Sequence, residues 1–350
     1  MDICVVPYEA GGSLTGINRQ FPGALVISLD FELHWGVREN TAVDGPYAPA
    51  LYGVRTAIDS MLRMFTAYEI GATWATVGFL FARTAEELKA LSPNERPTYA
   101  NPRLDPYFEP IGRDEELDPL HFAPSVVERL ASSQSQELAT HTYSHYYCGE
   151  PGATPSSFRA DLQSAVAIAR SRGIAIRSIV FPRNQAVPRY LEGLQDVGID
   201  VYRGNRLGRL EQASDATARR QLHRRITRVV GSYLPSIAEN TQAWSDVIEV
   251  NGLANVRASE FLRPFHPRRR RLDEVRLYKI KRDMRRAAKR GRIYHLWWHP
   301  HNFGTYLDEN LNLLRRVLDE FTVLRSRHGM LSLTMAEAAD MAHDIAAGGT

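Results

Sequence analysis

Cysteine is scarce in this chain, and long apolar runs are missing. Only Cys4 and Cys148 occur among 350 residues, which excludes a disulfide framework and favours a reducing compartment. No apolar run approaches the roughly 20 residues that cross a bilayer, and the first residues lack the basic region and apolar core of a signal peptide. We therefore predict a cytoplasmic protein, with peripheral membrane contact as an alternative.

Repeats and low-complexity segments are also missing, and the composition is ordinary for an enzyme, with 44% hydrophobic and 24% charged residues. A chain of this length can bury a substantial core. We treat residues 1–350 as one domain with two irregular insertions. Segment 83–123, rich in Pro, Asn and acids, is a folded lid over a site or a surface excursion. Segment 204–241 is irregular and basic.

Positive charge is concentrated in one segment. Between Arg263 and Arg292 there are fourteen Lys and Arg against three acids, a balance of +11 in a chain whose net charge is +3. Such a run is commonly a solvated helix face. It also suits the phosphates of a nucleotide-sugar, an anionic glycan or an anionic membrane. No nucleic-acid motif accompanies it, so specific nucleic-acid binding is not expected.

Apolar β-branched runs alternate with helical patterns, which predicts parallel strands with crossover helices in an α/β barrel. The predicted strands are Ala24–Leu29, Ala72–Val77, Glu137–Thr140, Ser178–Phe181, Asp200–Arg203, Val247–Val250, Arg292–Trp298 and Leu331–Leu333. The predicted helices are Val54–Tyr68, Pro124–Ser132, Ser156–Arg172, Pro188–Val197, Leu272–Arg290, Asp308–Arg325 and Met335–Ala346.

Ionisable residues follow several predicted strands. Asp30 and Glu32 end the first strand on the same side of an extended backbone. His141 and His145 follow the third strand and could bind one divalent ion, since two histidines and a carboxylate form a known hydrolytic metal site. His299 follows the penultimate strand. Because strand C-termini build the active site of a βα barrel, we expect these residues to meet.

The motifs resemble those of the polysaccharide deacetylase superfamily, carbohydrate esterase family four. They are Leu29-Asp-Phe-Glu32, His141-Thr-Tyr-Ser-His145, Phe181-Pro-Arg-Asn184 and Trp298-His-Pro300, in the family's order and across about 280 residues. The resemblance implies a distorted (β/α)7-type barrel that carries an inserted loop region over its active-site face. It also implies one divalent metal ion, zinc above all, with Co, Mn, Ni or Fe as alternatives.

Roles follow from the same resemblance. Asp30 matches the catalytic base, His141 and His145 match metal ligands, His299 matches the acid that protonates the leaving group, and Arg183 matches the arginine that orients the base. The usual motif has two adjacent aspartates, whereas here Phe31 follows Asp30. An acid-x-acid subset of the superfamily makes Glu32 the metal carboxylate. A backbone N–H after His141 is expected to help hold the oxyanion.

Further residues are predicted around this centre. The substrate-binding candidates are His34, Trp35, Trp297 and His301. His301 is also the second choice for the acid. The carboxylate–tryptophan motif that often partners the arginine is not evident, and Trp244-Ser-Asp246 is the nearest candidate.

The resemblance implies a metal-dependent hydrolase that removes an N-acyl group, above all N-acetyl, from a sugar. A cytoplasmic enzyme would meet a nucleotide- or lipid-linked glycan intermediate rather than mature polymer. Three alternatives stay open at this point: a glycoside hydrolase that uses Asp30 and Glu32, a metal-dependent hydrolase of a non-sugar amide, and a non-catalytic glycan- or membrane-binding protein.

Overall fold

The computed structural model describes residues 21–205 and 240–348. All nine strands in these ranges join one sheet whose neighbours pair in parallel. Strands β1–β9 are Ala24–Phe31, Ala72–Thr76, Gln136–Thr140, Ser178–Ile179, Val201–Tyr202, Ala254–Asn255, Glu260–Phe261, Ile293–Trp298 and Leu331–Leu333. Helices α1–α9 are Ala48–Tyr52, Val54–Tyr68, Ala85–Ala90, Pro124–Ser132, Pro155–Ser171, Pro188–Leu191, Arg270–Arg290, Leu307–His328 and Met335–Ala346.

The sheet runs in the order β6-β5-β4-β3-β2-β1-β8-β7, and β9 pairs with the start of β1. Its two end strands are separated by only four residues, 256–259. Within that segment the Val256 N–H donates to Tyr202 O on β5, and the Ser259 N–H donates to His295 O on β8. The segment therefore bridges the two sides of the sheet and closes it into a distorted barrel.

Strand β1 is central because it is apolar on both faces. Its eight residues, ALVISLDF, are all buried, and it pairs with β2, β8 and β9. A strand covered on both sides of a parallel sheet has this near-continuous apolar pattern. The exceptions are Ser28 and Asp30, and Asp30 lies one residue before the strand ends, so a charge is placed in the barrel interior at its C-terminal rim.

The outer helices begin and end where the sequence supplies caps. Thr154 and Thr334 start α5 and α9 with capping boxes, which satisfy backbone N–H groups that the first turn leaves open. Helices α7 and α8 end at Gly291 and Gly329, both with positive φ, a conformation that costs glycine little. The predicted bounds of these helices agree with the structure to within a few residues.

Two sequence predictions about elements are wrong. Val247–Val250 is a turn closed by an isolated bridge between Ile248 and Ala254, and the strands of that region are the two-residue β6 and β7. Such short strands carry too little periodicity to be recognised. The predicted helix Pro188–Val197 ends at Leu191, before Gly193, and only a single 3₁₀ turn follows at Gln195–Val197.

Segment 83–123 is folded against the barrel. It contains α3 and two short 3₁₀ turns, and Leu104, Leu120 and Phe122 are buried. The Ala123 N–H donates to Leu80 O after β2. Whether it acts as a lid stays a prediction. Most of the predicted insertion at 204–241 lies outside the described residues, which resume at residue 240.

Candidate active site

Glu32, His141 and His145 meet at the C-terminal end of the barrel. The Oε2 atom of Glu32 is 3.1 Å from Nε2 of His145 and 3.4 Å from Nε2 of His141, and all three side chains are buried. Burial alone would raise the pKa of Glu32, but His299 and the two histidines hold it well below the usual range. The carboxylate is therefore an anion among imidazoles.

These donors fit a divalent metal. Two ligands of one tetrahedral zinc ion, each about 2.0–2.1 Å from it, lie roughly 3.3 Å apart, close to the separations of both histidine nitrogens from Glu32. Burial lowers the pKa of His145, which favours the neutral imidazole that binds metal. The Nδ1 atoms of His141 and His145 have no hydrogen-bond partner among the described residues. Metal-bound histidines usually donate this second ring N–H to a carboxylate, a carbonyl or water, and these two rings depart from that pattern.

Backbone conformation brings the ligands together. In the segment that carries the histidines, Thr142 and His145 have φ of +63° and +58°, a backbone region that residues other than glycine rarely adopt. Gly36 lies so close to Glu32 that an added Cβ would be 1.9 Å from the carboxylate carbon. The carboxylate therefore occupies space that only glycine leaves open.

Asp30 is held by an arginine that the sequence reasoning missed. Both of its oxygens accept hydrogen bonds from Arg203, at 2.7 Å each, and both side chains are almost fully buried. Arg203 also donates to Ser28 Oγ and Asn184 Oδ1, and its guanidinium lies over the Trp297 ring at 4.2 Å. Burial would raise the pKa of Asp30, but Arg203 and nearby histidines lower it.

The assignment of Arg183 as the residue that orients Asp30 is therefore corrected to Arg203. Arg183 is partly exposed, pairs with Glu39 and Glu150, and lies over Tyr147 at 4.2 Å. Its backbone has a φ of +55°, in the turn after β4. Arg203 directly follows β5 and closes the predicted strand Asp200–Arg203, so its strand-end position was the signal that could have found it.

Among the late histidines, His299 lies nearest to both acids. Its Nε2 is 3.8 Å from Asp30 Oδ2 and 3.6 Å from Glu32 Oε1, and it is partly exposed. His301 stacks on it at 5.0 Å but is buried. Burial and the neighbouring His299 lower the pKa of His301 to about 3, so this ring is neutral near pH 7. His299 is therefore the late histidine with a ring nitrogen within 4 Å of both acids.

Two predicted substrate contacts, His34 and Trp35, contact segment 83–123. Trp35 is 1% exposed, packs on Phe79 and donates from Nε1 to His121 O at 3.0 Å. His34 is also buried and contacts His121. Leu33, with a φ of +47°, begins the 3₁₀ turn that carries both side chains toward segment 83–123. Both rings are thus buried against segment 83–123, and their assignment as substrate contacts is corrected.

Tryptophans of β8 divide as strand alternation requires. Trp298 is buried and stacks on Phe303, whereas Trp297 is half-buried beside Phe261 and His299. Trp297 therefore remains available to a substrate. Trp244, the candidate for the carboxylate–tryptophan motif, donates to Pro22 O just before β1, at the opposite end of the barrel from the acids.

The loop after β3 is fixed by Asp161. This buried side chain of α5 accepts from the N–H groups of Tyr143 and Ser144, at 2.7 and 3.2 Å, and from the Ser144 hydroxyl. The Tyr146 N–H donates a hydrogen bond to the hydroxyl of Thr142. These three N–H groups thus already donate hydrogen bonds within the protein. Fewer backbone N–H groups of this loop are left to act as the predicted oxyanion donor.

By its fold and site, this protein is a parallel-stranded βα barrel whose strand C-termini carry acids and histidines. A structure from Mycobacterium smegmatis, provisionally named a polysaccharide deacetylase, matches it with a TM-score of 0.57 and 11% sequence identity, over 96% of this chain and 94% of that one. The predicted distorted (β/α)7 barrel is confirmed, and the chain has the polysaccharide deacetylase fold.

Other solved structures give weaker likenesses. A chitin deacetylase from Colletotrichum lindemuthianum gives a TM-score of 0.43 at 12% identity, over 91% of this chain and 88% of that one. A family-four carbohydrate esterase pseudoenzyme from Bacillus anthracis gives 0.40 at 10% identity, over 92% and 67%. The fold assignment rests on the first match alone. No family model and no curated protein matches the sequence.

Proposed function

We propose that this protein is a metal-dependent hydrolase that removes an N-acyl group, above all N-acetyl, from a sugar. The observation that carries the proposal is the buried Glu32–His141–His145 group with the Arg203-bound Asp30 and His299 beside it. One side of the centre offers ligands for a divalent ion. The other offers a carboxylate and an imidazole that can exchange protons.

In this mechanism the metal, when bound, supplies a Lewis acid and makes water nucleophilic near neutral pH. Asp30 accepts a proton from the attacking water. Arg203 keeps that carboxylate ionised and fixed, because it occupies both oxygens at 2.7 Å. His299, partly exposed and within 4 Å of both acids, gives a proton to the departing amine. Trp297 offers its half-buried ring to a sugar face.

The charges around Asp30 and Glu32 disfavour a glycoside hydrolase built on these two acids. Such an enzyme needs one carboxyl group that stays protonated to act as the acid. Here Arg203 and the histidines outweigh burial, so that the pKa values of both acids are lowered. Neither carboxyl group would hold its proton near neutral pH.

The experiment is acetate release from N-acetylated sugars, measured with zinc-loaded protein and after chelation. We expect release that chelator abolishes. Asp30→Asn and His299→Ala should each lower turnover by about 10²–10⁴-fold while metal stays bound, and His141→Ala should lose metal by elemental analysis. A centre that binds zinc but cleaves only non-sugar amides would support the alternative hydrolase, and no turnover of any amide would refute catalysis.

We also propose that the substrate carries an anionic group, as in a nucleotide- or lipid-linked glycan. Arg268 to Arg271 are exposed and stand where α7 begins, at the barrel rim that also carries the acids, since helices of βα units run antiparallel to their strands. The Phe265 N–H donates to Asn310 Oδ1, and Asn310 donates to Asn302 O in the loop after His299.

Much of the remaining positive charge of segment 263–292 is already paired. Lys279 and Arg285 contact Glu260 and Glu320, for example, whereas Arg268 to Arg271 form an exposed run at the start of α7. Changing Arg268, Arg269 and Arg271 to Gln should raise KM for a nucleotide-linked N-acetyl sugar but not for a neutral oligosaccharide. Arg170→Gln, at the far end of α5, is the control. An unchanged KM for the nucleotide-linked sugar in the triple variant would refute the anionic contact.

The same variants test contact with an anionic membrane. No helix among the described residues is long and apolar enough to span one. Leu272, Val275 and Tyr278 are exposed beside the arginine cluster, a combination that suits an interfacial surface. Salt-sensitive sedimentation with anionic vesicles, lost in the triple variant, would support membrane contact. Unchanged sedimentation would oppose it.

A further inference from the structure

A second cluster of metal-binding residue types joins the turn after β1 to segment 83–123. His34 and His121 face each other, with Nδ1 of the first 2.9 Å from Nε2 of the second, and both are buried. Oε1 of Glu109 is 3.8 Å from the same Nδ1. One ligand atom from each of the three residues lies within 4.8 Å of the others, and none belongs to the Glu32 group.

The far nitrogen of each ring meets an oxygen that can only accept. His34 Nε2 is 2.9 Å from the carbonyl oxygen of Thr41, and His121 Nδ1 is 2.8 and 2.9 Å from the carboxylate oxygens of Asp118. Each ring must therefore donate an N–H there. In neutral imidazoles the two facing nitrogens then both carry lone pairs, which a positive ion must bridge at 2.9 Å.

We propose that His34, His121 and Glu109 bind a second divalent metal ion, of the zinc type. Two imidazoles and a carboxylate suit such an ion, and the Thr41 carbonyl and Asp118 are the outer-shell acceptors that metal-bound histidines usually have. Bonds of about 2.0–2.1 Å would place the nitrogens roughly 3.3 Å apart, so the rings need to separate by only a few tenths of an ångström.

The site joins segment 83–123 to the turn after β1. His34 belongs to that turn, whereas Glu109 and His121 belong to the segment. Arg38 makes a parallel connection: it lies 3.8 Å from Oε2 of Glu109 and donates to main-chain oxygens at 103–105. The Glu109 side chain is 23% exposed, which leaves room for water as a fourth ligand. The metal would hold the segment in place rather than act in hydrolysis.

The test is the number of zinc ions per chain, counted by elemental analysis after loading and gel filtration. We expect two in the wild type and one in His121→Asn and in Glu109→Gln. His141→Ala, at the candidate active site, should keep the ion at His34. Glu116→Gln, an exposed acid in the same segment, is the matched control and should keep two. If the wild type and the two segment variants bind equal numbers, the bridging ion is a proton and the proposal is overturned.

Limited proteolysis gives a second readout that does not depend on activity. Chelator should speed cleavage within 83–123 by at least severalfold in the wild type and in His141→Ala, but not in Glu109→Gln. The isosteric Glu109→Gln decides the matter if His121→Asn fails to fold, as judged by circular dichroism. Chelator-insensitive cleavage in His141→Ala would overturn the proposal, and it would leave the candidate active site untouched.

Discussion

At the scale of single residues, Gly36 decides whether the Glu32 carboxylate can take its position. A Cβ on residue 36 would lie 1.9–2.4 Å from the carboxylate atoms of Glu32. Because those atoms end a flexible side chain, we expect Gly36→Ala to move the carboxylate rather than unfold the barrel. Zinc affinity should fall about 10–100-fold, as for a disturbed outer shell, measured by competition with a chromophoric chelator.

Gly71 supplies the control for that substitution. An added Cβ there meets nothing nearer than 3.4 Å, and its φ is not in the left-handed region. Gly71→Ala should leave zinc affinity within twofold of the wild type. Equal affinities for all three proteins would mean that Glu32 does not ligate the metal.

The two arginines near the rim should differ in what their removal costs. Arg203→Met leaves Asp30 buried without its partner, a change that typically costs about 3–5 kcal/mol. Arg183 has a partly exposed side chain in its two ion pairs, so Arg183→Met should cost about 0–1 kcal/mol. Urea unfolding monitored by fluorescence checks both values. Similar costs for the two variants would contradict the placement of Arg203 against Asp30.

At the scale of elements, the loop after β3 depends on a buried acid in α5. Burial, opposed by donors from Ser144 and Tyr143, raises the pKa of Asp161 to about 7 from an ordinary value near 3.9. The folded state therefore holds this proton more tightly than the unfolded state. The resulting contribution is fully present below about pH 4 and is lost as pH rises to about 7.

We expect the wild type to lose about 2–3 kcal/mol of stability from this group between pH 5 and pH 8. Asp161→Asn cannot titrate, so it should lack that loss and be destabilised most at pH 5, where it gives up a hydrogen bond worth about 1–3 kcal/mol. Urea unfolding at both pH values measures the difference. Asp344→Asn, an exposed acid of α9, should follow the wild type, and so would Asp161→Asn if the prediction is wrong.

Elements with strong periodicity were predictable from the sequence, whereas short ones were not. β1 and α4 were recognised because burial on both faces, or a regular apolar stripe, spans their length. β6 and β7 have two residues each, too few for any period. The same limit applies within the site. Strand-end position predicted that Asp30, Glu32 and His141 lie close together, but it did not single out Arg203, because the contact of an arginine with Asp30 depends on where each turn directs its side chain.

Turn geometry also explains why His34 and Trp35 were misassigned. Both follow Glu32 within three residues, so proximity along the chain suggested proximity to substrate. The positive φ of Leu33 reverses the backbone and buries both rings under segment 83–123. A single left-handed residue is not visible in hydrophobic patterning, because patterning reports burial and not chain direction.

At the scale of the whole molecule, the candidate metal ligands come from parts of the chain more than a hundred residues apart, after β1 and after β3. These strands pair through β2 between them. His299, beyond β8, contacts Glu32 from the other side of β1. The metal site therefore forms only when the central sheet is formed, and the free energy of metal binding must add to the stability of the whole barrel.

Metal removal should consequently lower Tm in one cooperative step. Zinc at 100 times its Kd stabilises by about 2.7 kcal/mol. At about 2.1 cal/mol/K of unfolding entropy per residue, Tm of a chain of 350 residues shifts by roughly 1.4 °C per kcal/mol, so chelator should lower Tm by about 4 °C by calorimetry. His145→Ala should lose that part of the shift which the Glu32 group supplies. An equal chelator effect on His145→Ala and the wild type would show that the stabilising metal lies elsewhere, because a ligand can stabilise a fold only through the residues that bind it.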